Sequence, residues 1–578
     1  MGRKKPLSPE LYRTGILPQV EPMLEMFNQD DFFDVPEGEK LIDFFQGPTY
    51  VRYTAHPQFI YPLAYFYKTR FPDNRYYRDP KVLSTVLAIG EHICRQIDVS
   101  ARDTAAEMKG EISQRVIQFW LDAYELVKLD LPAKTCRKWE EAMKVTLSPL
   151  AERLDKYMRQ SSFNDCSFGT GPNHAILYAV AVYLGGRVLG QRRWLKLAEA
   201  FADRFVASQH SEGYWIECGG PTNIYNAVSV AGVARMSSLL RKKTYIEALA
   251  RAWRFFETVS YPDFTCVGLI DSRCHYSKTP FLWGCFGFSY WPEGRAFVLE
   301  AARARLAHGE PTGEECARWL EDYVHFQRGL IPPMYRQWTG WRTLKAAGVA
   351  GRVAFLRKNG WQVNFCANPN VRRQSCFALD NDNVFNLWHQ TTGRIVSCSQ
   401  DKHRPEHGSF HAPGKNKLGA LVGGRIDDLA LPPSLTAIYD RGFHGRIAVD
   451  LLNRYEARLT IEQVVPRQTG ETVHFNLPLC AGLGEQLRVG KRCLPLTGKT
   501  LRLSVPAGTS IGLGNGKMGL RANAQGTLHF PCLPYNSYNM KDHRSELSEA
   551  FLRWDFPLQG TRPIRIDIRV RQGTTMVE

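Results

Sequence analysis

The first part of the chain carries hydrophobic residues at the spacing of amphipathic helices. Apolar positions recur every three to four residues along segments of roughly 15 to 20 residues, separated by short Gly, Pro, Ser or Asp breaks. The segments predicted to be helical are 82–97, 112–129, 138–158, 173–189, 193–208, 224–240, 244–259, 294–307 and 312–326. Because consecutive helices with short connections pack antiparallel, this series predicts a toroid or solenoid of helix pairs.

From residue 353 onward the helical spacing fades, and short runs rich in β-branched and aromatic residues follow. Turns separate these runs at intervals of roughly 10 to 15 residues, the spacing of an antiparallel sandwich or barrel. The predicted strands are 360–367, 375–379, 384–388, 394–398, 445–451, 457–464, 472–477, 501–505, 527–530 and 564–569. Strands that follow helices, rather than alternate with them, indicate separate domains. The Pro- and Gly-rich segment 327–351 predicts the boundary, with one domain over 1–335 and the other over 336–578.

Composition and charge narrow the class of protein. The 578 residues are 44% hydrophobic and 23% charged, values typical of a folded soluble protein. The 74 Lys and Arg residues outnumber the 57 Asp and Glu residues, and the net charge of +17 favours an anionic partner. No apolar run is long enough to span a membrane, and no nucleic-acid motif accompanies the scattered basic residues, so we expect neither a membrane span nor a nucleic-acid partner. The start lacks the apolar run of a signal peptide, which predicts a cytoplasmic protein unless a leader was removed.

Three short motifs lack the context that their chemistry requires. Gly516-Lys517 is followed by Met518 and lacks the first Gly of a phosphate-binding loop. The segment 508–512 matches G-x-S-x-G, but no helix follows it, so it does not predict a nucleophile elbow. His403, His407 and His411 lie four residues apart and would bind zinc on one face of a helix, but Pro405 and Gly408 favour a polar loop over a metal site.

Three segments of the helical part combine aromatic, basic and amide side chains at loop–helix junctions. They are 168–174, 212–226 and 271–295. Trp and Tyr rings stack on sugar faces and guanidinium groups bind carboxylates bidentately, so this mixture is typical of a site for an acidic sugar chain. The predicted substrate-binding residues are Trp215, Glu217, Asn223, Arg273, His275, Tyr276, Trp283, Trp291, Glu293 and Arg295.

The order of these motifs resembles that of the heparinase-II/III-like polysaccharide lyases. Asn173-His174 opens one helix, and a Gly-Tyr-Trp-Ile-Glu loop at 213–217 then leads into a helix that carries Tyr225. The resemblance implies an incomplete (α/α)6 toroid followed by an antiparallel β-sandwich, and β-elimination on a uronate-containing glycan. No counterpart of the His/Asp zinc site that some members carry in the β domain is recognised, so no metal and no other cofactor is expected.

The resemblance also implies roles for four residues. Asn173 would neutralise the uronate carboxylate, His174 or Tyr225 would remove the C5 proton, and Tyr225 would protonate the leaving oxygen. His389 of the β domain would face the same cleft. Arg273 or Arg295 nearby would lower the pKa of the tyrosine.

Structural roles and other functions remain open at this stage. Asn173 could cap its helix, His174 and Tyr225 could be ordinary core residues, and the tryptophans could pack between helices. A glycoside hydrolase on a similar toroid would use two carboxyl groups from among Glu217, Asp271 and Glu293. A protein that binds glycans or nucleic acids without catalysis would also account for the charge.

Overall fold

A computed structural model describes most of the chain. The described residues are 6–28, 56–100, 116–160, 173–217, 219–271, 279–280, 284–311, 313–345, 352–367, 378–380, 382–397, 402, 404–413, 418–427, 431–466, 472–537, 539, 541–560 and 562–571. Among the helices of these residues, none has the combination of length and apolar character needed to cross a bilayer.

Twelve α-helices precede the first strand within the described residues. They are α1 Glu10–Ile16, α2 Val20–Phe27, α3 Ile60–Lys68, α4 Pro80–Ser100, α5 Ile117–Val127, α6 Ala133–Met158, α7 Asn173–Val188, α8 Arg192–Ala207, α9 Asn223–Leu240, α10 Lys243–Val259, α11 Pro292–Leu306 and α12 Gly313–His325. All of the predicted helices are confirmed over the described residues, with ends displaced by a few residues, and residues 112–115 and 312 of the predicted helices lie outside the described residues. The pattern missed α1, α2 and α3, and α3 is buried on nearly every side, so it has no polar face to mark its period.

The burial of the helices separates an inner layer from an outer layer. In α8 the buried residues recur at a spacing of three and four, as in Ala198, Phe201 and Phe205, so only one face packs against the domain. Helix α7 is buried along almost its whole length. Because α7, α8 and α9 are joined as two successive hairpins, α7 and α9 run in the same direction and begin at the same end of the toroid.

A glycine lets a side chain of α7 reach the backbone of α9. A Cβ atom on Gly232 would lie 2.6 Å from Cγ2 of Ile176, which is closer than real Cβ atoms come to other atoms. Glycine at position 232, in the middle of α9, therefore allows the first turn of α7 to pack closely against the neighbouring inner helix.

Nineteen strands follow and form two antiparallel sheets. They are β1 Gly340–Lys345, β2 Arg352–Lys358, β3 Trp361–Cys366, β4 Phe385–His389, β5 Gly393–Val396, β6 Phe410–His411, β7 Leu421–Asp427, β8 Ser434–Tyr439, β9 His444–Asp450, β10 Glu456–Val465, β11 His474–Leu479, β12 Gln486–Val489, β13 Arg492–Pro495, β14 Leu501–Val505, β15 Ser510–Leu513, β16 Met518–Ala522, β17 Gly526–Cys532, β18 Phe551–Pro557 and β19 Ile564–Val570.

The first sheet has the order β1-β2-β3-β4-β5-β11-β18-β17-β14, with β6 also paired to β11, and the second has the order β13-β12-β15-β16-β19-β10-β9-β8-β7. Their facing sides enclose one hydrophobic core, which includes Leu387, Leu459 and Phe475. This arrangement is the predicted antiparallel sandwich.

Not every predicted strand forms. Residues 378–379 of the predicted strand 375–379 belong to no strand, and 375–377 lie outside the described residues. The predicted strands also do not include β1, β2, β6, β7, β8, β12, β13, β15, β16 and β18. In β7 the two central glycines, Gly423 and Gly424, interrupt the alternation of apolar and polar residues.

Strands β2 to β4 join the two domains by presenting a different set of side chains to each. Val353 and Phe355 belong to the core of the toroid, whereas Ala354 and Leu356 belong to the core of the sandwich. Trp388 of β4 stacks on Tyr261 at 6.2 Å between ring centroids, and its indole N–H donates to Asp263 at 2.9 Å. The last helix ends at His325 and β1 begins at Gly340, so the predicted boundary at residue 335 falls between them.

Arg357 is a buried cation at this junction, with only 5% of its surface exposed. Its Nε donates to Gln362 at 2.7 Å, Nη1 donates to Gln337 at 2.8 Å, and Nη2 donates to the carbonyl oxygen of Ser260. The guanidinium also lies 4.0 Å from the centroid of the Trp338 ring. Burial lowers the pKa of Arg357 to about 9. The side chain therefore connects the toroid, the interdomain segment and the sheet.

Replacement of Arg357 by Met is expected to destabilise the protein by about 3 kcal/mol or more, because two buried acceptors, Gln362 and the carbonyl oxygen of Ser260, lose a charged donor. Thermal and urea denaturation would measure the change. Arg569→Met is the matched control: Arg569 is paired with Glu456 on the surface and its side chain is 77% exposed, so its loss should cost less than about 1 kcal/mol. Equal effects of the two substitutions would contradict a structural role for Arg357.

Candidate active site

Asn173 is the first residue of α7, and its side chain is buried without hydrogen bonds. Only 3% of its surface is exposed, and its amide Nδ2 has no hydrogen-bond partner among the described residues. The side chain also makes no capping hydrogen bond to a described backbone amide, so the structure does not support the capping alternative. A buried amide donor without a partner costs free energy, and an acceptor on a ligand would offset that cost.

Asn223 begins α9 and is held by the segment that follows α10. Its backbone N–H donates to Asp271 Oδ2 at 2.7 Å, and its Nδ2 donates to the carbonyl oxygen of Val267 at 3.0 Å. Its Oδ1 is buried and accepts no hydrogen bond from any described residue. Asn223 was predicted to bind substrate, and the oxygen that remains is an acceptor for a hydroxyl group.

His174 and Tyr225 stand on the first turns of α7 and α9, next to these asparagines. Both side chains are half-buried. Since α7 and α9 are packed neighbours that begin at the same end, the structure places Asn173, His174, Asn223 and Tyr225 at one end of the toroid. An amide, an imidazole and a phenol in this arrangement can neutralise an anion and transfer protons.

A cavity of 310 Å³ lies between this end of the toroid and the sheet. Asp263, Thr265 and His308 line it from the toroid, and the lining from the sandwich includes Arg394 of β5. The segment that carries Asp263 and Thr265 continues directly to Val267 and Asp271, which bind Asn223. The cavity is therefore connected through this segment to the start of α9.

Arg394 is a candidate site residue that the sequence pattern did not single out. Burial raises the pKa of the Cys266 thiol to about 12, and the negative charge of Asp271 adds to this increase, whereas the positive charge of Arg394 opposes it. Arg394 and Asp271 therefore both influence the buried Cys266 thiol, although Arg394 belongs to the β-sandwich and Asp271 to the toroid. Arg394 follows Thr392 and Gly393 in a short turn, and this local sequence is not a motif that predicts a functional site.

Four predicted substrate-binding residues lie outside the described residues. They are Arg273, His275, Tyr276 and Trp283. The segment that contains them continues from Asp271, but their contribution stays a prediction.

Trp215 packs inside the toroid instead of facing a substrate. It is 2% exposed, stacks on Phe205 at 5.3 Å between ring centroids, and donates its indole N–H to the carbonyl oxygen of Phe205 at 2.9 Å. The side chain of Asn226 holds the backbone of Trp215 with two hydrogen bonds. Its Oδ1 accepts the Trp215 N–H, and its Nδ2 donates to the Trp215 carbonyl oxygen. Because Phe205 occupies both the ring face and the indole N–H of Trp215, the prediction that Trp215 stacks on a sugar ring is wrong.

Arg295 is likewise used within the protein. Its Nε donates to the carbonyl oxygen of Gln327 at 2.8 Å and its Nη1 to that of Leu330 at 3.0 Å, and burial lowers the pKa of the guanidinium. It anchors the chain that leaves α12, which corrects its predicted role toward the substrate. Trp291 stacks on Trp253 at 6.0 Å with one face, and Glu293 is exposed on the first turn of α11.

His389 does not face the cleft, contrary to the prediction. Side chains alternate along a strand, so His389 lies on the same face of β4 as Leu387, in the sandwich, whereas Trp388 faces the toroid. Nε2 of His389 lies 2.9 Å from the carbonyl oxygen of Arg454, and Nδ1 accepts the backbone N–H of Thr391 at 3.2 Å. Burial lowers its pKa, so the ring stays neutral inside the fold.

The carboxyl groups of the hydrolase alternative differ in their environments. Glu217 and Asp271 are buried, whereas Glu293 is exposed. Asp271 accepts the N–H of Asn223 at the start of α9, a position where a carboxylate stabilises the helix. This role accounts for Asp271 without catalysis.

One group of side chains in the described residues is arranged to bind a metal ion. His411, His474 and Asp555 lie on neighbouring strands, and their ligand atoms are all within 4.8 Å of one another. His474 Nδ1 lies 2.6 Å from Asp555 Oδ1, and His411 Nε2, which is buried without a hydrogen bond, lies 3.4 Å from Asp555 Oδ2. Burial alone would raise the pKa of Asp555, but the two histidines outweigh this effect and hold it below its usual value.

Two imidazoles and one carboxylate suit zinc, so this group fits a metal that the sequence pattern did not anticipate. The histidine pattern at 403, 407 and 411 is not the one that forms it. His403 lies outside the described residues, and His407 packs its ring against Phe551 at 5.3 Å.

Zinc in 100-fold excess over its dissociation constant is expected to stabilise the protein by about 2.7 kcal/mol if it binds at His411, His474 and Asp555. Thermal denaturation with and without zinc, and after chelation, would measure the effect. Asp555→Asn should abolish the zinc-dependent shift, whereas His444→Ala, on the other sheet, should leave it unchanged. A shift that survives in Asp555→Asn would place the metal elsewhere.

No protein-family model matches the sequence. No curated protein matches it either. Solved structures do match: a Paenibacillus xanthan lyase with a TM-score of 0.57 at 9% identity, covering 98% of this chain and 58% of that one, and the Streptomyces coelicolor A3 chondroitin AC lyase with a TM-score of 0.53 at 11% identity, covering 96% and 83%. A heparinase III structure has a TM-score of 0.46 at 12% identity, covering 99% and 95%.

The first two likenesses confirm the fold class, an α/α toroid followed by an antiparallel β-sandwich, which this chain shares with the xanthan lyase and the chondroitin AC lyase. The chain spans 58% of the length of the xanthan lyase that it matches. At 9% to 11% identity the likeness establishes the fold, and the activity has to be argued from the site.

Proposed function

We propose that this protein is a polysaccharide lyase that cleaves a uronate-containing acidic glycan by β-elimination. The observation that carries the proposal is the buried amide of Asn173 on the first turn of an inner helix, whose Nδ2 has no partner among the described residues, on a helix packed against the one that bears Tyr225. The net charge of +17 supports an acidic substrate, and the fold is one on which xanthan lyase and chondroitin AC lyase are built.

In this proposal Asn173 binds the uronate carboxylate. A carboxylate disfavours removal of the neighbouring C5 proton because the carbanion would place a second negative charge beside it. Hydrogen bonds from the Asn173 amide stabilise the charge that develops on the carboxylate oxygens in the transition state. The Asn173 amide Nδ2 donates to none of the described residues, so in this proposal the donor is available before the substrate arrives.

Tyr225 or His174 then removes the C5 proton. The C5–H electron pair forms the C4–C5 double bond, the bond between C4 and the glycosidic oxygen breaks, and Tyr225 returns a proton to that oxygen. Both side chains are half-buried, which gives them access to substrate. Arg394 supplies positive charge at the same end of the toroid and would favour the phenolate form of a nearby tyrosine.

The hydrolase alternative is less favoured by the environments of its carboxyl groups. A hydrolase requires two carboxyl groups that both face the scissile bond. Asp271 is engaged at the start of α9 and Glu293 is exposed on α11. These two residues therefore do not form a converging pair.

Tyr225→Phe is expected to reduce kcat by about 100-fold or more, because the phenyl ring can neither accept nor return a proton. Asn173→Ala should reduce kcat by about 100- to 1000-fold, through loss of charge stabilisation in the transition state. The assay is ultraviolet absorbance of the unsaturated uronate product with chondroitin sulfate, heparan sulfate and xanthan as substrates. Purified variants should retain the unfolding temperature of the wild type within a few degrees.

Tyr323→Phe is the matched control, since the Tyr323 hydroxyl binds Glu10 at 2.9 Å, between α1 and α12, and should leave the rate unchanged. Reducing ends released without the unsaturated product, and lost in Glu217→Gln, would replace the lyase by a hydrolase. Full activity in Tyr225→Phe and Asn173→Ala would refute the assigned site.

A further inference from the structure

A second cavity, of 420 Å³, opens on the sandwich, and its lining includes several basic side chains. Arg404, Arg544 and Arg553 contribute three guanidinium groups, and His407 and His529 contribute two imidazoles. Glu406 is the acidic residue of the lining. With three guanidinium groups and one carboxylate, the lining carries an excess of positive charge.

Two of the three arginines of this cavity, Arg404 and Arg553, form no ion pair with the described residues, and the third, Arg544, has only a long one, 3.9 Å to Asp542. Arg404 donates to the carbonyl oxygen of Leu533 at 2.9 Å and Arg553 to that of Glu406 at 2.8 Å, and neither forms an ion pair with a carboxylate among the described residues. The Nε of Arg553 is buried without a partner. By contrast, Arg305 binds Glu315 through two nitrogens.

Three guanidinium groups around one cavity repel one another, and an anion bound between them would offset that repulsion. The planar, forked donors of arginine match the oxygens of a sulfate or carboxylate. The unused Nε–H of Arg553 is the kind of donor that such an oxygen would satisfy.

The basic cavity adjoins the cavity between toroid and sheet. Leu533 lines the former and Pro534 lines the latter. His407 of the basic cavity packs its ring against Phe551, which lines the other cavity. The two cavities are therefore neighbours, separated by this aromatic contact.

We propose that the basic cavity binds the anionic group, a sulfate or a carboxylate, of a sugar unit remote from the bond that is cleaved in an acidic glycan. The inference rests on the proposed function for the identity of the ligand. In this proposal the basic cavity contributes to substrate specificity, because it binds a charged group of the glycan away from Asn173 and Tyr225. A concave cavity favours a single sugar unit over the extended phosphate backbone of a nucleic acid.

The test is calorimetric titration of chondroitin sulfate oligosaccharides, and of unsulfated chondroitin oligosaccharides of the same length, into the full chain. All proteins carry Tyr225→Phe to prevent turnover. Arg404→Gln and Arg544→Gln should each weaken binding about 10-fold, as expected for loss of one charged hydrogen bond. Arg544 is the safer substitution for folding, because its side chain is 61% exposed and its nearest carboxylate, on Asp542, lies 3.9 Å away.

Arg569→Gln is the charge-matched control on the other sheet and should leave the affinity unchanged. Loss confined to the sulfated oligosaccharide identifies a sulfate as the ligand, and equal loss with both identifies a carboxylate. Equal weakening by Arg569→Gln and by the cavity substitutions would overturn the proposal, because general attraction would then account for binding. The same loss with a double-stranded DNA oligonucleotide would also overturn it.

This result is separable from the lyase assay. Binding is measured without turnover, so absence of the unsaturated product would refute the proposed function while leaving the binding measurement intact. An active lyase whose glycan affinity is unchanged in Arg404→Gln and Arg544→Gln would refute the cavity alone.

Discussion

The burial of a guanidinium group between two domains constrains the rest of this structure. Arg357 is removed from water and must give its donors to acceptors that surround it, one on the toroid, one on the interdomain segment and one on the sheet. Rotation of one domain against the other would leave a buried charge unsatisfied, at a cost of several kcal/mol. Together with Trp388 on Tyr261, this fixes the sheet against the end of the toroid where the candidate site lies.

The two asparagines at the helix starts show how one scaffold supports both structure and chemistry. The side-chain amide of Asn223 donates to the carbonyl oxygen of Val267, so it connects the segment after α10 to α9. Asn173 occupies the equivalent first position of α7, yet its amide donates to no described residue. The same residue type is therefore satisfied by the fold at one position and left for a ligand at the other.

Local patterns predicted the helical domain well and the site in part. Amphipathic spacing marks the outer helices such as α8, because one face meets water, and the motif at 173–174 and 225 lies at helix starts as predicted. The fully buried α3 and the glycine-interrupted β7 carry no such period. His389 was assigned to the cleft from its residue type, but the pleat of β4 directs it into the sandwich beside Trp361.

By itself the sequence determined the order of helices and strands, the separation into two domains and the loop–helix junctions where polar and aromatic residues collect, since these depend on contacts between residues close in the chain. Tertiary structure alone decided which of those polar groups form hydrogen bonds inside the protein. Trp215 and Arg295 donate to backbone carbonyl oxygens, whereas Nδ2 of Asn173 donates to none of the described residues. It also brought together His411, His474 and Asp555, and the arginines of the basic cavity, from distant strands. Hydrogen-bond partners and charge neighbours are set by positions in space, and no local periodicity records them.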